Sequence, residues 1–265
     1  HPGALSLPPA VVSNTHANAE ALRAVLADID AKGIDKVICL GDVIGYGPEP
    51  LECVDLIAER CDWSLMGNHD FAVLYEPTNF NPGAEQAAYW TRAQFDAETD
   101  TDKKAKRYRF LGQMRVRVVD EQSEAGFPIL AVHGSPRRPI NEYIFADDVL
   151  SATDKMSSIF AQVDRAAICG HTHVPGVFTD EPDFYRPDEV GEGATYKFIE
   201  TEKVIINVGS VGQPRDHDPR ASYAVISPGS IQFHRVEYDV AVTAQKIRAI
   251  PELTDWLAER LFEGR

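Results

Sequence analysis

Five short polar turns of this 265-residue chain carry side chains able to bind metal ions: Asn14 and His16, Asp42, Asn68 and His69, His133, and His171 and His173. Imidazole, carboxylate and amide-oxygen donors without a thiolate suit a divalent transition metal, Mn, Fe, Zn, Ni or Co. The set is too large for one tetrahedral zinc. It suits two ions sharing a bridging carboxylate, for which Asp42 is the natural residue. Ions about 3.5–4 Å apart can polarise a phosphoryl group and hold a nucleophilic hydroxide at neutral pH. Each residue alone has an ordinary explanation. His16 or His133 could pack, Asp42 could form a turn, and Asn68 could tolerate a left-handed backbone. The concentration of five of the eight histidines in these turns decides for ligands.

A short apolar run leads into every one of these turns. Ala10 to Val12 precedes Ser13-Asn14-Thr15-His16, and the run through Leu40 precedes Gly41-Asp42. Trp63 to Met66 precedes Gly67-Asn68-His69-Asp70, Pro128 to Val132 precedes His133-Gly134, and Ala166 to Cys169 precedes Gly170-His171-Thr172-His173. Ligands of open α/β sheets bind beyond the carboxyl ends of strands, so the five turns are expected in one crevice. Glycine at 41, 67 and 170 permits the sharp turn that throws the next side chain inward. Helical spacing of Ala21, Leu22, Val25, Leu26 and Ile29, stopped by Gly33, and a second helix over Pro50 to Arg60 separate the first three strands. That β-α-β-α-β order implies a parallel sheet. From about Phe71 to Asp120 helices (84–97 and 101–114) follow without strands and read as an inserted cap. Strands dominate through Val236, with turns around 181–193 and 227–229. Helices at 240–249 and 253–262 close a single domain, 1–265, built as a β-sandwich with helices outside.

Net charge is −15, from 41 acidic and 26 basic residues. That excludes a broad basic face for duplex nucleic acid, and leaves small phosphorylated molecules and nucleotides open, because bound metal reverses a local acidic field. The basic run from Lys103 to Arg109 reads as a solvated helix face. Cys39, Cys53, Cys61 and Cys169 show neither a metal-type pair nor a disulfide framework and read as free thiols. No apolar run is long enough for a bilayer. His1 to Pro9 lacks the basic start and apolar middle of a secretory signal, so a cytoplasmic location is expected.

Taken in order, Asn14-x-His16, Gly41-Asp42, Gly67-Asn68-His69-Asp70, His133-Gly134 and Gly170-His171-x-His173 resemble the five-block signature of calcineurin-like metallophosphoesterases. Asn207 to Asp216 resembles the later loop of their small bacterial branch, which includes diadenosine-tetraphosphatase-related proteins. The resemblance spans about Val11 to Tyr238. It implies a four-layer α/β/β/α sandwich and hydrolysis of a phosphomonoester or phosphodiester, with no membrane partner. It implies that Asn14, His16, Asp42 and His173 hold one metal, and that Asp42, Asn68, His133 and His171 hold the other. A bridging hydroxide would attack phosphorus. His69 would protonate or polarise the departing oxygen, and Asp70 would at most orient His69 or the turn.

One position departs from the pattern. Asn14 stands where the family has aspartate, which predicts a weaker first metal site and lower activity than an Asn14→Asp variant. A natural active variant, a binding protein with degraded catalysis and an introduced replacement all account for it. The same fold serves as an interaction scaffold in the retromer complex, which makes a weakened scaffold the alternative function; a nuclease of the superfamily is a third. Arg137, Arg138 and Arg215 follow site turns and could clamp a phosphate. Tyr46 could stack on a substrate base. His217 and His234 read as surface or packing residues.

Overall fold

The structure, a computed structural model, describes residues 8–265. Two six-stranded mixed sheets lie between helical layers. Strands β1 (Ala10–Val12), β2 (Val37–Cys39) and β3 (Trp63–Ser64) run parallel, joined by α1 (Ala19–Ala31) and α2 (Pro50–Arg60). Parallel neighbours need such crossovers, and the sequence supplies them. Beyond β1 the sheet turns antiparallel.

In the chain region after β3, α3 (Asn68–Leu74), α4 (Pro82–Ala97) and α5 (Thr101–Gln113) lead to β4 (Arg117–Asp120). The second sheet continues with β5 (Ile129–Val132) and β6 (Ala166–Cys169), between which lie α6 (Asp148–Ser151) and α7 (Thr153–Phe160). Then come β7 (Gly176–Thr179), β8 (Asp183–Tyr185), β9 (Thr195–Lys197), β10 (Val204–Asn207), β11 (Ala221–Ser227) and β12 (Ser230–Val236). Helices α8 (Val240–Arg248) and α9 (Asp255–Glu263) finish the fold. The sheet orders are β3-β2-β1-β11-β12-β9 and β4-β5-β6-β10-β7-β8.

Strand periodicity builds the layers. In β1, Val11 faces the other sheet, packing in one cluster with Ile38, Ile129, Ile168, Ile206 and Ala224. Its neighbours Ala10 and Val12 point the opposite way, onto Leu22, Val25 and Ile29 of α1. The alternation repeats in the second sheet, where Ile168 is inward and Ala167 and Cys169 meet Met156, Ile159 and Phe160 of α7. A side-chain period of two thus feeds two cores from one strand.

The interval 71–120 departs from the expectation of helices alone. It contains β4, an edge strand antiparallel to β5. Phe95, Leu111 and Met114 of this interval sit in the same core as α1 and α2, so most of it is helical layer. Arg107 explains part of the docking. Its guanidinium forks onto Asp55 of α2 (2.9 and 2.7 Å) and reaches Glu98 at 2.6 Å. Arg107 is therefore buried, whereas the basic run had read as a solvated face; Lys103, Lys106 and Arg109 are exposed as expected. Differences elsewhere are smaller: β8 lies inside the segment read as turn. All four cysteines are free. Among the described residues no helix is long and apolar enough to cross a membrane.

Candidate metal centre

The five turns meet at the carboxyl ends of β1, β2, β3, β5 and β6. Asp42 lies at the middle, with its Oδ2 3.5 Å from His16 Nε2 and 3.2 Å from His133 Nε2. His16, Asp42 and His69 offer ligand atoms within one cluster, and Asp42, His133 and His171 offer them within a second; Asp42 belongs to both. His173 Nε2 is 3.1 Å from His16 Nε2. Asn14 and Asn68 lie beside these clusters. Asn14 backbone N–H donates to Gly41 O, and Asn68 shares a cavity wall with His171.

Backbone strain marks the same residues. Asn14, His16, Asp42, His171 and His173 all have φ between 48° and 68°, a region that non-glycine residues rarely occupy. Each such residue costs on the order of 1 kcal/mol or more and persists only where its surroundings fix it. Here they do. Asp70 is the main brace: its carboxylate accepts N–H bonds from Asp42 (2.7 Å), Gly67 (2.9 Å), Val43 (3.0 Å) and Ile44 (3.3 Å). The expectation that Asp70 orients a turn understates this. Burial and the nearby Asp42 charge push the Asp70 carboxyl up to about 7, against the pull of those donors. The loop after β10 braces the first turn, as Val211 and Gly212 N–H groups donate to Ser13 O and Asn14 O.

The glycines do two different jobs. Gly41 has φ of +96°, as a sharp turn demands. Gly67 instead allows close approach: a Cβ there would sit 2.0 Å from Asp42 Oδ1.

Tautomers are set from outside the cluster. His133 Nδ1 lies 2.8 Å from Leu40 O and His173 Nδ1 lies 2.6 Å from Gln213 O. A carbonyl can only accept, so both Nδ1 atoms carry hydrogen, and in the neutral rings the Nε2 lone pairs face the centre. Burial pushes His16 and His173 down, His171 to about 3 and His69 to about 4, so these rings are neutral at pH 7. His133 behaves differently: burial is the largest influence and opposes its protonation, but the Asp42 charge, its hydrogen bonds to Asp42 and Leu40 O and the Asp70 charge together raise it. Asp42 is held well below the carboxylate range, burial being overcome by the surrounding imidazoles. The buried acceptors His133 Nε2, His171 Nε2, Asn14 Oδ1 and Asn68 Oδ1 have no hydrogen-bond partner. So many buried acceptors without a protein partner around one carboxylate suit a cation. The residues therefore fit the metal pair that the motif implies.

The remaining candidates separate. Arg215 belongs to the site: its charge helps depress His173, its guanidinium carbon lies 5.9 Å from the Tyr46 ring, and Gln213 Oε1 holds it at 2.6 Å. Tyr46 is 4.3 Å from the His69 ring and 4.9 Å from that of His16. Arg137 is turned onto Glu142 (2.7 Å), and its neighbour Arg138 lines the cavity beside His171. His234 stacks on Tyr223, a packing role, and His217 occupies a turn with φ of 66°. Sequence reasoning missed Tyr143, whose ring stacks on His171 at 3.8 Å, and Phe80, which packs 4.6 Å from His69. Neither residue type signals metal chemistry.

Comparison with known proteins agrees with this geometry. The calcineurin-like phosphoesterase superfamily domain matches residues 9–230, and the chain belongs to that family. It is 38% identical over 261 residues to the uncharacterized protein MJ0912 of Methanocaldococcus jannaschii, covering 97% of this chain and 98% of the other. A metallophosphoesterase structure from Sphaerobacter thermophilus superposes with a TM-score of 0.79 at 35% identity, over 98% and 99% of the two chains. The hypothetical protein PH1004 of Pyrococcus horikoshii gives 0.73 at 18% identity over 97% and 98%, a likeness of fold.

Proposed function

We propose that this protein hydrolyses a phosphate ester at a two-metal centre. Asn14, His16, Asp42 and His173 would hold one ion, and Asp42, Asn68, His133 and His171 the other. The observation that supports this most is the pair of ligand clusters sharing Asp42 among unpartnered buried acceptors. When bound, the metals supply Lewis acidity toward the phosphoryl oxygens and an activated water.

The chain's own residues do the rest. Nδ1–H bonds to Leu40 O and Gln213 O keep His133 and His173 presenting lone pairs inward. Asp70 holds the Asp42 backbone while His69 N–H donates to Asp42 Oδ1 at 2.9 Å, so the Asp42 carboxylate is fixed at the place where it would help hold both ions. Arg215, anchored by Gln213, offers a charged fork to a phosphoryl oxygen. His69 is neutral in the free protein, pushed by burial to about 4. It polarises the departing oxygen as an N–H donor, and an incoming phosphate anion raises its proton affinity. The loop 75–81 shares a cavity wall with Asn68 and packs Phe80 4.6 Å from His69, so it would shape substrate entry. A cytoplasmic location fits the four free thiols.

Only Asn14 favours the scaffold reading, because its neutral amide lacks the charge of a carboxylate ligand. Hydrolysis of bis-p-nitrophenyl phosphate and p-nitrophenyl phosphate, measured with manganese and again after chelation, tests the proposal. Chelator-sensitive turnover restored by manganese supports the enzyme; full metal occupancy without turnover on either ester supports the scaffold.

A further inference from the structure

A cavity of about 430 Å³ opens beside the centre, and Asn68 and His171 form part of its wall. Resting on the reading of the site as a phosphoesterase, we infer that this cavity takes one organic arm of the substrate, and that this arm carries a flat, uncharged aromatic ring.

Size comes first. The volume lies within the range of pockets that bury small organic molecules, and is larger than a phosphate group needs. The walls come next. Phe71, Phe80 and Tyr143 give the cavity three aromatic side chains. Phe71 and Tyr143 are 37% and 39% exposed, so apolar ring surface lies open to water next to the chemistry. Aromatic rings are used in this way to stack planar ligands. Tyr143 is fixed by near-parallel stacking with His171 at 3.8 Å and Phe145 at 5.2 Å, so it walls the cavity while the open Phe71 ring is the face left to stack on.

Polar groups then limit what the ring can be. Arg138 and Glu76 are the charged residues of the wall, one of each sign, so the wall as a whole suits a neutral arm. Asn79 and Asn141 bring amides to the same cavity. Each amide presents a donor and an acceptor, the pattern that reads the edge of a nitrogen heterocycle. Position ties the cavity to catalysis, because Phe80 packs 4.6 Å from the His69 ring. An ester oxygen attached to an arm in this cavity leaves or stays within reach of His69.

The test is calorimetric binding of non-hydrolysable phosphonates to the manganese-loaded full chain. Methylphosphonate reports on the centre alone, benzylphosphonate adds a plain ring, and the methylene phosphonate of adenosine adds a heterocycle. The ring-bearing ligands are expected to bind about tenfold or more tighter than methylphosphonate, the contribution of one stacked ring. Phe71→Ala should erase most of that preference and leave methylphosphonate binding unchanged. Asn141→Ala weakening only the adenosine ligand assigns the arm to a nucleoside; equal effects on both ring ligands assign it to a simple aryl group. Equal affinity for methyl- and ring-bearing phosphonates overturns the inference while keeping the phosphoesterase reading. Failure of all three to bind metal-loaded protein overturns both. Concentration-dependent dimerisation that Phe71→Ala abolishes would assign the aromatic rim to a second copy and also overturn it.

Discussion

Replacing Asn14 by aspartate should lower the stability of the metal-free protein and enlarge the stabilisation that metal gives it. Asn14 is fully buried, and its Nδ2 donates to Gly209 O at 3.2 Å. A carboxylate in the same place turns that donor into an acceptor facing another acceptor. The change removes a hydrogen bond and orphans a buried carbonyl, together worth about 2–3 kcal/mol. For 265 residues the entropy of unfolding is about 0.55 kcal/mol/K, so the metal-free variant should melt about 4–5 °C lower. Metal offsets part of this loss. A charged ligand in place of a neutral amide should tighten the first site by about tenfold or more, and each tenfold adds about 1.4 kcal/mol of linkage, roughly 2–3 °C, at saturating metal. Scanning calorimetry with and without manganese reads both effects, and turnover of bis-p-nitrophenyl phosphate should rise in parallel. An unchanged metal-free melting temperature, together with a manganese shift no larger than that of the parent, would refute the reasoning about this position.

Other consequences follow from the same geometry. Asp70→Asn should cost about 3 kcal/mol or more, since an amide cannot accept from four N–H groups as a carboxylate does; denaturant titration alongside manganese binding checks that both fall together. Gly67→Ala should abolish tight metal binding without unfolding the sheets, because its Cβ would lie 2.0 Å from Asp42 Oδ1; metal content and far-UV circular dichroism separate the two effects. Burial holds His171 at about 3 and His69 at about 4, below the unfolded value of about 6.5. The unfolded chain therefore binds more protons between about pH 6.5 and 4, and metal-free stability falls as pH drops through that window. At pH 5 the His171 share is about 2 kcal/mol, so His171→Gln should flatten the slope; an unaltered slope by urea titration would contradict the assignment. Arg215→Gln should raise KM severalfold whereas Arg137→Gln, whose parent side chain is committed to Glu142, should leave kinetics unchanged.

The sequence was most informative where hydrophobic period and punctuation agreed. Helix α2 begins at Pro50 and ends at Arg60 as its pattern indicates, and β6 occupies Ala166–Cys169 without adjustment. The ring of candidate ligands was legible because each follows an apolar strand. Orientation was not. Arg137 and Arg138 are neighbours of one type, and only the packing of Glu142 decides which faces the cavity. Helix α3 went unseen because its first turn, Asn68-His69-Asp70, has the composition of a loop; tertiary bonds to Asp70 stabilise it. Strand β4 was absorbed into a helical interval because four residues, Arg117 to Asp120, carry too little period to declare themselves. The left-handed backbone at His16, Asp42, His171 and His173 had no signature either, since glycine normally marks that conformation.

The most direct test is the number of metal ions held by one chain. Protein exchanged into manganese and freed of excess should carry two ions per chain by elemental analysis, and the coupled pair should give an exchange-broadened paramagnetic signal. Asp42→Asn should lose both ions together. One ion per chain in the parent, or one ion retained by the Asp42→Asn variant, would contradict the central claim that Asp42 joins two sites.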